Sequence, residues 1–190
     1  GRDLTAATVV ETSSVNIVKD NRNRYSDSTR SETGTTFNTG GDLLLSAGQD
    51  MTLRAATVKT AGDLALTAGN NLTLEAGRTI ETLDEASYRT GKDKSLFGSS
   101  KTTITSSRQA ASSSAEVTTL AGNNVSLSAG STLASEGAQI RANDNLDLQA
   151  QSIVLAAAYD TQQSSSSANA VSKTKPKQHS EQSESTTASG

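Results

Sequence analysis

The chain repeats itself with a shift of 21 residues, and this repeat limits the possible folds more than any other feature. The segment GGDLLLSAG at 40–48 lies over AGDLALTAG at 61–69 when the sequence is shifted by this amount. Two further copies begin with AGNNVSLSAG at 121–130 and DNLDLQA at 144–150. Four copies of one short unit are therefore visible, which is typical of folds built by stacking similar units.

Each unit contains three short apolar stretches. In the first unit the apolar anchors are Leu43, Met51 and Val58, and Leu64 begins the next unit, so that the steps are 8, 7 and 6 residues. Within the stretches apolar and polar residues alternate, which places successive side chains on opposite faces of a β-strand. Helical spacing is absent. The sequence therefore predicts three short strands per unit.

Between the strands lie corner sequences such as AGQD at 47–50 and AGNN at 121–124. Glycine and asparagine tolerate the left-handed backbone conformation, and we expect them to adopt it at these corners. A chain that turns in the same sense after each strand must stack each strand in parallel on its equivalent, about 4.8 Å away. The predicted fold is all-β, a right-handed parallel β-helix (β-solenoid) with about 21 residues per coil.

A longer period is superimposed on the short one. The anchors of 43–66 reappear 82 residues later, so that Leu43 corresponds to Val125 and Leu66 to Leu148. The larger unit thus consists of two coils followed by a non-repetitive excursion. The sequence predicts coils at about 1–12, 39–82 and 120–158, and excursions at about 13–38, 83–119 and 159–190, within a single solenoid segment that covers residues 1–190.

The excursions are too long to be simple corners, so we expect either mobile loops or hairpins that lie along the solenoid. The β-prone segments 88–90 and 102–106 predict a hairpin around residues 91–100.

Composition agrees with a polar β structure. Only 33% of the 190 residues are hydrophobic and 3% aromatic, with a net charge of -3, so a conventional thick core is not expected. The chain has no cysteine, which excludes disulfides and thiolate chemistry. No apolar run has the roughly 20 residues of a membrane-spanning helix, and residues 1–12 do not resemble a signal peptide. Because neither terminus looks like a domain edge, we expect an internal piece of a longer protein.

The corner-and-strand pattern at a 21-residue spacing resembles the haemagglutinin repeats of filamentous haemagglutinin-type exoproteins. The segment KDKSLFGSSKTT at 92–103 is similar to the second class of these repeats, which is common in effectors of contact-dependent growth inhibition. The resemblance covers residues 1 to about 160. The first excursion departs from this pattern, because it has DNRNRY at 20–25 where the second has LFGSS.

The resemblance implies a secreted filament on the bacterial cell surface, exported by an outer-membrane two-partner secretion transporter. It implies that the repeat region acts at the surface or outer membrane of a target cell and helps deliver a C-terminal toxin. A plain filamentous adhesin without a toxin is the alternative. The receptor, the toxin and the length of the parent chain are left open.

The sequence offers few candidates for reactive groups. His179 is the only histidine and lies beside KPK at 175–177, so a solvated side chain is favoured over a metal or catalytic site. The Asn and Asp corners lack the dense Gly-Asp pattern of calcium-binding solenoids, and side-chain amide stacking is the favoured interpretation. Asp84 and Glu85 point to opposite sides of an extended segment, which favours a solvated charge cluster over acid–base catalysis.

Basic residues surround one aromatic residue in the second excursion. Lys92, Lys94 and Lys101 lie around Phe97, but the net charge is negative and no regular basic stripe exists, so nucleic-acid binding is not expected. Leu96 and Phe97 are large apolar residues outside the strand register. They either pack on the solenoid or form an exposed contact, and with the three lysines they are the candidate contact surface.

The alternative from another class is a polysaccharide-cleaving β-helix, which would need a recurring acid on one outward face. The predicted outward row carries none, so we expect no catalysis, no cofactor, no metal site and no small-molecule substrate. The row consists of Leu44, Thr52, Ala65, Thr73, Ser126 and Asp147.

Overall fold

The computed structural model describes residues 1–95, 98–172 and 177–189, and it describes side chains for residues 1–92 and 101–172. All regular secondary structure in these ranges is β-strand, and none of it is a helix that could cross a membrane. In chain order the strands are β1 (Leu4–Ala6), β2 (Val9–Asp20), β3 (Asn23–Thr33), β4 (Thr36–Thr39), β5 (Leu43–Ala47), β6 (Met51–Arg54), β7 (Thr57–Thr60), β8 (Leu64–Ala68), β9 (Asn71–Glu75), β10 (Gly77–Ser95), β11 (Gly98–Glu116), β12 (Thr119–Gly122), β13 (Val125–Ala129), β14 (Thr132–Glu136), β15 (Gln139–Ala142), β16 (Leu146–Gln149), β17 (Ser152–Ala156), β18 (Ala158–Ser172) and β19 (Lys177–Ser189).

Three parallel sheets form the walls of a solenoid. The first wall has the order β1-β6-β9-β14-β17, the second β4-β7-β12-β15 and the third β5-β8-β13-β16. Each complete coil contributes one strand to each wall, and equivalent positions lie opposite each other, as Leu43 does with Leu64. The predicted all-β fold with parallel sheets is therefore confirmed.

The core is a column of aliphatic side chains inside the three walls. In β8, Leu64 and Leu66 are buried and Thr67 is exposed, which is the alternation that the sequence predicts. Because the strands stack in register, each buried residue lies on its equivalent in the next coil, so that Leu127 lies opposite Leu66. The largest fully buried aliphatic residues are Met51, Leu53, Val58, Leu64, Leu66, Leu72, Leu74, Leu120, Val125, Leu127 and Leu133.

The predicted left-handed backbone at the glycine corners is wrong. In the described part of the chain, only Ala55 (φ 47°) and Gly137 (φ 66°) have positive φ. The corner glycines are instead required by close stacking, because a Cβ on Gly69 would overlap the carbonyl oxygen of Gly48. A Cβ on Gly130 would overlap Gly69 in the same way. Glycine therefore allows successive corners to lie directly on one another.

The excursions are β-hairpins at 9–33, 77–116 and 158–189. Each leaves the solenoid after a strand of the first wall, namely β1, β9 or β17, so all three start from the same corner. They join edge to edge in one antiparallel sheet with the order β19-β18-β11-β10-β3-β2, which we call the hairpin sheet.

The spacing of hairpins along the chain explains why they form a continuous sheet. Successive hairpins are separated by two coils, which rise by roughly 9.6 Å, since neighbouring strands are about 4.8 Å apart. A two-stranded hairpin has the same width. One hairpin for every two coils therefore fills the sheet without a gap or an overlap.

The strand boundaries differ from the predicted ones. The first hairpin begins at Val9 and the second at Gly77, earlier than the predicted 13 and 83, and β4 belongs to a coil although 13–38 was predicted as excursion. Ile80, which resembles a coil anchor, lies in β10 opposite Ser113. Coil and hairpin strands share the same alternation of polar and apolar residues, so alternation alone cannot separate them.

Candidate functional site

The hairpin sheet is the part of the molecule that the coil repeat does not determine, and it is the candidate functional site. Its strands pair with one another and share few contacts with the coil strands. Tyr88–Thr90 lie opposite 103–105, within the much longer pairing of β10 with β11. The sheet therefore offers both of its faces to other molecules.

An ion pair fixes the first hairpin to the second. The Arg24 guanidinium donates two hydrogen bonds to the Asp84 carboxylate, from Nε at 3.0 Å and from Nη2 at 3.2 Å. Hydrogen bonding to Arg24 lowers the pKa of Asp84, and the Asp84 carboxylate raises the pKa of Arg24. Both groups thus stay charged and hold β3 against β10.

The turn of the first hairpin makes further contacts with β10. The Arg22 guanidinium lies 4.7 Å from the ring centroid of Tyr88, a cation–π distance. The Tyr88 backbone N–H donates a 2.8 Å hydrogen bond to Oδ1 of Asn23. Asp20 closes the turn by accepting the backbone N–H groups of Arg22 and Asn23. The divergent segment DNRNRY thus docks the first hairpin on the second.

A charge network anchors the first hairpin to the solenoid. Arg54 of β6 donates two hydrogen bonds to Oε2 of Glu32 in β3 and one to Glu75 in β9. Arg30 bonds to the other oxygen of Glu32. Hydrogen bonds from Arg54, and secondly from Arg30, lower the pKa of Glu32 despite its burial.

The structure brings two of the predicted contact residues together. Lys92 and Lys101 lie opposite each other in the β10–β11 pair, and both side chains are exposed. Lys94 lies in β10 opposite Ser99, in a part of the strand whose side chains are not described. Leu96 and Phe97 lie outside the described residues, so the predicted contact surface stays a prediction.

A shallow depression of about 250 Å³ lies at the junction of the hairpins. Leu83 and Tyr25 line it together with the carboxylates of Asp27 and Glu81. The Tyr25 hydroxyl donates a 3.4 Å hydrogen bond to Asp27, and the negative charge of Asp27 raises the pKa of Tyr25. The phenol therefore stays protonated at neutral pH, and the depression can accept hydrogen bonds or positive charge.

Asp84 and Glu85, the adjacent acids considered for acid–base catalysis, do not form a catalytic pair. Asp84 bonds to Arg24, whereas Glu85 follows it on the strand and lies opposite Arg108 and Tyr25.

On the coils, the outward row of the third wall contains Leu44, Ala65, Ser126 and Asp147, with one acid among four positions. Thr52 and Thr73 pair in the first wall. This row has no recurring acid of the kind a sugar-cleaving face needs.

Ladders of Asp and Asn side chains connect successive corners. Oδ1 of Asp63 accepts the backbone and side-chain N–H groups of Asn124, and Oδ1 of Asn124 accepts the side-chain N–H of Asn145. Asp50 accepts the corresponding groups of Asn71 at another corner. The side-chain oxygens of these residues therefore bond to the neighbouring coil, as the amide-stacking interpretation predicts. Where side chains are described, no group of three potential ligands that could hold a metal ion is found.

The sequence indicates Asp84 as a charged residue but does not reveal Arg24 as its partner in the neighbouring hairpin. Arg24 and Asp84 are 60 positions apart, and neither belongs to a repeated motif. The available signal was the interval of two coils between excursions, which predicts that neighbouring hairpins lie side by side. Charges of opposite sign in adjacent hairpins could then have been paired.

Comparison with known proteins gives one result. A family model described as hemagglutinin repeat matches the chain twice, at residues 18–105 and 95–190. No curated protein and no solved structure matches the chain.

Proposed function

We propose, since this chain belongs to the hemagglutinin repeat family, that it is a non-catalytic segment of a secreted filamentous exoprotein displayed on the bacterial cell surface. The observation that carries this proposal is the division between a regular solenoid and a lateral hairpin sheet. Scaffold and recognition are thereby assigned to different parts of the chain.

The proposal includes the finer description of the fold. We take the solenoid to be right-handed, with about 21 residues per coil, and residues 1–190 to be one segment of a longer solenoid. The pairing of Leu43 with Leu64 and of Val125 with Leu146 supports the coil length. Right-handed connections are also the rule for parallel strands that follow each other in the chain.

In the full protein, this segment would adhere to a target cell and help deliver a C-terminal toxin in contact-dependent growth inhibition. Its partners would be an outer-membrane two-partner secretion transporter during export and the surface or outer membrane of the target cell. The resemblance of 92–103 to the second class of haemagglutinin repeats supports delivery. A plain adhesin would share the same repeat family, and binding and competition assays separate the two functions.

We assign the contact to the far end of the second hairpin, where Lys92 and Lys101 are exposed and opposite each other. Two like charges across a strand pair destabilise the hairpin slightly, so a binding function is one reason to keep them. With Lys94 they form a positive group that complements the negative surface of a Gram-negative outer membrane. Leu96 and Phe97 complete the contact surface in this proposal.

Binding of the purified chain to target bacteria tests the adhesion function. Deleting residues 91–102 and joining Thr90 to Thr103 through an Asn-Gly turn removes the contact surface and keeps the rest of the hairpin paired. We expect this deletion and the double variant Lys92→Glu/Lys101→Glu to lose most binding. Lys59→Glu, on an exposed coil position, is the matched control and should bind like the parent chain. Full binding by the deletion variant would contradict the proposed surface.

A competition assay between bacteria tests delivery. The parent exoprotein with the same deletion should be displayed normally but inhibit neighbouring cells less. Phe97→Ser tests the aromatic residue of the contact surface alone. A parent gene that encodes no toxin domain, with adhesion intact, would establish the plain adhesin. Inhibition that is undiminished by the deletion at equal display would make the second hairpin a spacer.

A further inference from the structure

The second hairpin projects beyond the first. The pairing of β3 with β10 ends where Arg24 lies opposite Ala86, and the first hairpin turns back at residues 21 and 22. Strand β10 continues to Ser95 and is paired with β11 on its other side throughout. No other described strand pairs with the side of β10 that β3 leaves uncovered. We call this stretch of β10, residues 87–95, the projecting edge.

The projecting edge is uncovered because its neighbour is short. That neighbour is the first hairpin, which is present in full and whose turn lies beside Tyr88. A hairpin that belonged to preceding coils would lie on the far side of the first hairpin. It would be roughly 10 Å away from the projecting edge, which is the width of two strands. Further coils of the solenoid would therefore not cover this edge.

The backbone of the projecting edge presents hydrogen-bonding groups without a neighbouring strand. The Tyr88 N–H points toward the first hairpin, where it donates a 2.8 Å hydrogen bond to Oδ1 of Asn23. In an extended strand, the N–H and C=O groups of every second residue point to the same edge. The groups of Thr90 and Lys92 therefore point to the uncovered side, where no described strand faces them. Such an edge is a template for an additional strand.

Gly91 lies in the middle of the projecting edge. A Cβ on Gly91 would meet no atom within 4 Å, and its φ is not in the left-handed region. Neither close packing within the described chain nor backbone conformation therefore requires a glycine here. Glycine inside a strand weakens it and often marks a place where another backbone approaches closely. The pairing of β10 with β11 also runs without a bulge, so no irregularity bends the edge away from a partner.

The charges around the projecting edge favour one kind of partner. Arg22, Arg89, Lys92 and Lys101 are exposed, and none of them belongs to a salt bridge among the described residues. Residues 87–95 contain one acid, Asp93. Opposite charges across a strand pair stabilise it, and like charges destabilise it. Two copies of this edge would therefore repel each other, whereas a strand that carries carboxylates would be attracted.

We propose that the projecting edge of β10 binds an extended, acidic segment of a partner protein by strand addition. The backbone of that segment would pair with the N–H and C=O groups of Thr90 and Lys92, and its carboxylates would face the surrounding cations. The inference rests on the proposed adhesive function, since it assigns the contact at the end of the second hairpin to a protein. Lipid headgroups or polysaccharide would neutralise the cations but would not supply a continuous row of backbone partners.

Titration of the complete 190-residue chain with a fluorescent peptide tests the edge directly. In the probe, glutamate alternates with β-branched residues around a central tyrosine. One control peptide has lysine in place of glutamate, and another has N-methyl groups on its central backbone nitrogens. We expect saturable binding of the glutamate peptide alone, with protection of the Thr90 and Lys92 amides from hydrogen exchange. Equal binding of the N-methylated peptide, or no saturable binding of the glutamate peptide, would overturn the proposal.

Thr90→Pro removes one N–H from the projecting edge. The bonds between β10 and β11 remain, because the Thr90 N–H points away from β11. We expect the dissociation constant of the glutamate peptide to rise at least about tenfold. Thr90→Ala keeps the N–H and should bind the peptide more tightly than Thr90→Pro does. Lys92→Glu should weaken binding of the glutamate peptide and strengthen binding of the lysine peptide.

Circular dichroism and melting curves establish whether these variants fold. Unchanged affinity of a folded Thr90→Pro would overturn the proposal. If Thr90→Pro does not fold, the N-methylated peptide tests the same hydrogen bonds from the partner's side.

Binding to target bacteria separates this inference from the proposed function. Treatment of the cells with protease before the assay should remove most of the binding, because the partner is a protein segment. Undiminished binding after protease, together with full binding by Thr90→Pro, would retain adhesion and overturn strand addition in favour of lipid or polysaccharide. No binding to intact cells would contradict the proposed function, whereas the peptide titration would still decide strand addition.

Discussion

Arg54 and Glu32 join the solenoid to the first hairpin through two hydrogen bonds on one carboxylate oxygen, at 2.7 Å from Nη2 and 3.0 Å from Nε. Glu32 is the one acidic residue that is buried among the described side chains, at 8% exposure. It accepts a third bond from Arg30 on its other oxygen. The pair therefore differs from the exposed ion pair of Arg24 and Asp84, which joins hairpin to hairpin.

Replacing Glu32 with glutamine should weaken the attachment of the first hairpin to the coils. The amide keeps the shape but loses the charge that Arg54 and Arg30 neutralise, and we expect a loss of about 1 to 2 kcal/mol. Glu11→Gln is the control, because Glu11 is exposed in β2 and forms no salt bridge among the described residues. Urea unfolding would measure both. Equal stability of the two variants would mean that the network contributes nothing.

The same network predicts a sensitivity to acid. Arg54 lowers the pKa of Glu32 in the folded protein below its ordinary value of about 4.5. The stabilisation is therefore fully present above pH about 4.5 and is lost as the pH falls through the lower folded pKa. Melting temperatures of the parent and of Glu32→Gln should differ at neutral pH and converge in acid. A constant difference down to low pH would contradict this assignment.

Thr118 is the buried polar residue where the second hairpin returns to the solenoid. Its hydroxyl donates to the Glu75 carbonyl at 2.8 Å and accepts the Ala56 N–H at 3.2 Å. Thr118→Val keeps the volume but takes the side-chain acceptor from the buried Ala56 N–H, whereas the Glu75 carbonyl keeps its bond from the Ala55 N–H at 2.9 Å, so we expect a loss of about 1 to 3 kcal/mol. Thr118→Ser should retain most of the stability, and Thr67→Val at an exposed position should be nearly neutral. A neutral Thr118→Val would show that water or another group replaces the hydroxyl.

Inward and outward positions should respond differently to charge. Leu66→Asp or Leu127→Asp would bury an unpaired carboxylate in the core and unfold the neighbouring coils. Thr67→Asp, on an exposed outward position between two serines, should change the melting temperature little. If inward and outward substitutions gave equal melting temperatures, the assignment of faces would be wrong.

All hairpins are inserted at the corner that follows a strand of the first wall. Where this corner carries no hairpin, the residue after the strand has positive φ. Ala55 and Gly137 occupy equivalent places after β6 and β14, and both have positive φ. Ala55→Gly should stabilise the protein by up to about 1 kcal/mol, because relief of the left-handed strain exceeds the extra entropy lost by glycine. Gly137→Ala should destabilise it by a similar amount. Denaturation midpoints that move in the reverse directions would contradict this explanation.

Much of the solenoid could be predicted because its repeat is encoded locally. Leu64 and Leu66 reveal the buried face through alternation, and the 21-residue shift to the next copy reveals the stacking partner. The role of Gly69 was misassigned, because a glycine required by a neighbouring backbone looks the same in sequence as one required by positive φ. Ile80 lies within the predicted coil 39–82 but belongs to a hairpin strand, which alternation could not reveal because hairpin and coil strands share it.

The contacts within the hairpin sheet were harder to predict than those of the solenoid, because each occurs once and is not repeated from coil to coil. Arg24 meets Asp84 only after both hairpins have formed and lie side by side. Neither the spacing nor the types of these residues repeat along the chain. Lys92 and Lys101 were singled out because they lie near Phe97 in the sequence, but their cross-strand pairing needed the register of a long hairpin.

The central prediction is that the solenoid is continuous across each hairpin, so that the coil after a hairpin stacks directly on the coil before it. Thr67 and Ser128 test it, because they lie opposite each other in β8 and β13 although the second hairpin separates them in sequence. The chain has no cysteine, so Thr67→Cys/Ser128→Cys introduces a single pair.

The measurement is disulfide formation under mild oxidation, read as a shift in gel mobility that reductant reverses. Paired positions on neighbouring strands lie about 5 Å apart, within disulfide range, so we expect rapid and nearly complete cross-linking of this pair. Ser46→Cys/Ser128→Cys is the control, since these positions are two coils apart, about 10 Å, and should not cross-link. Cross-linking of Ser46 with Ser128 instead of Thr67 with Ser128 would contradict the stacking of these coils.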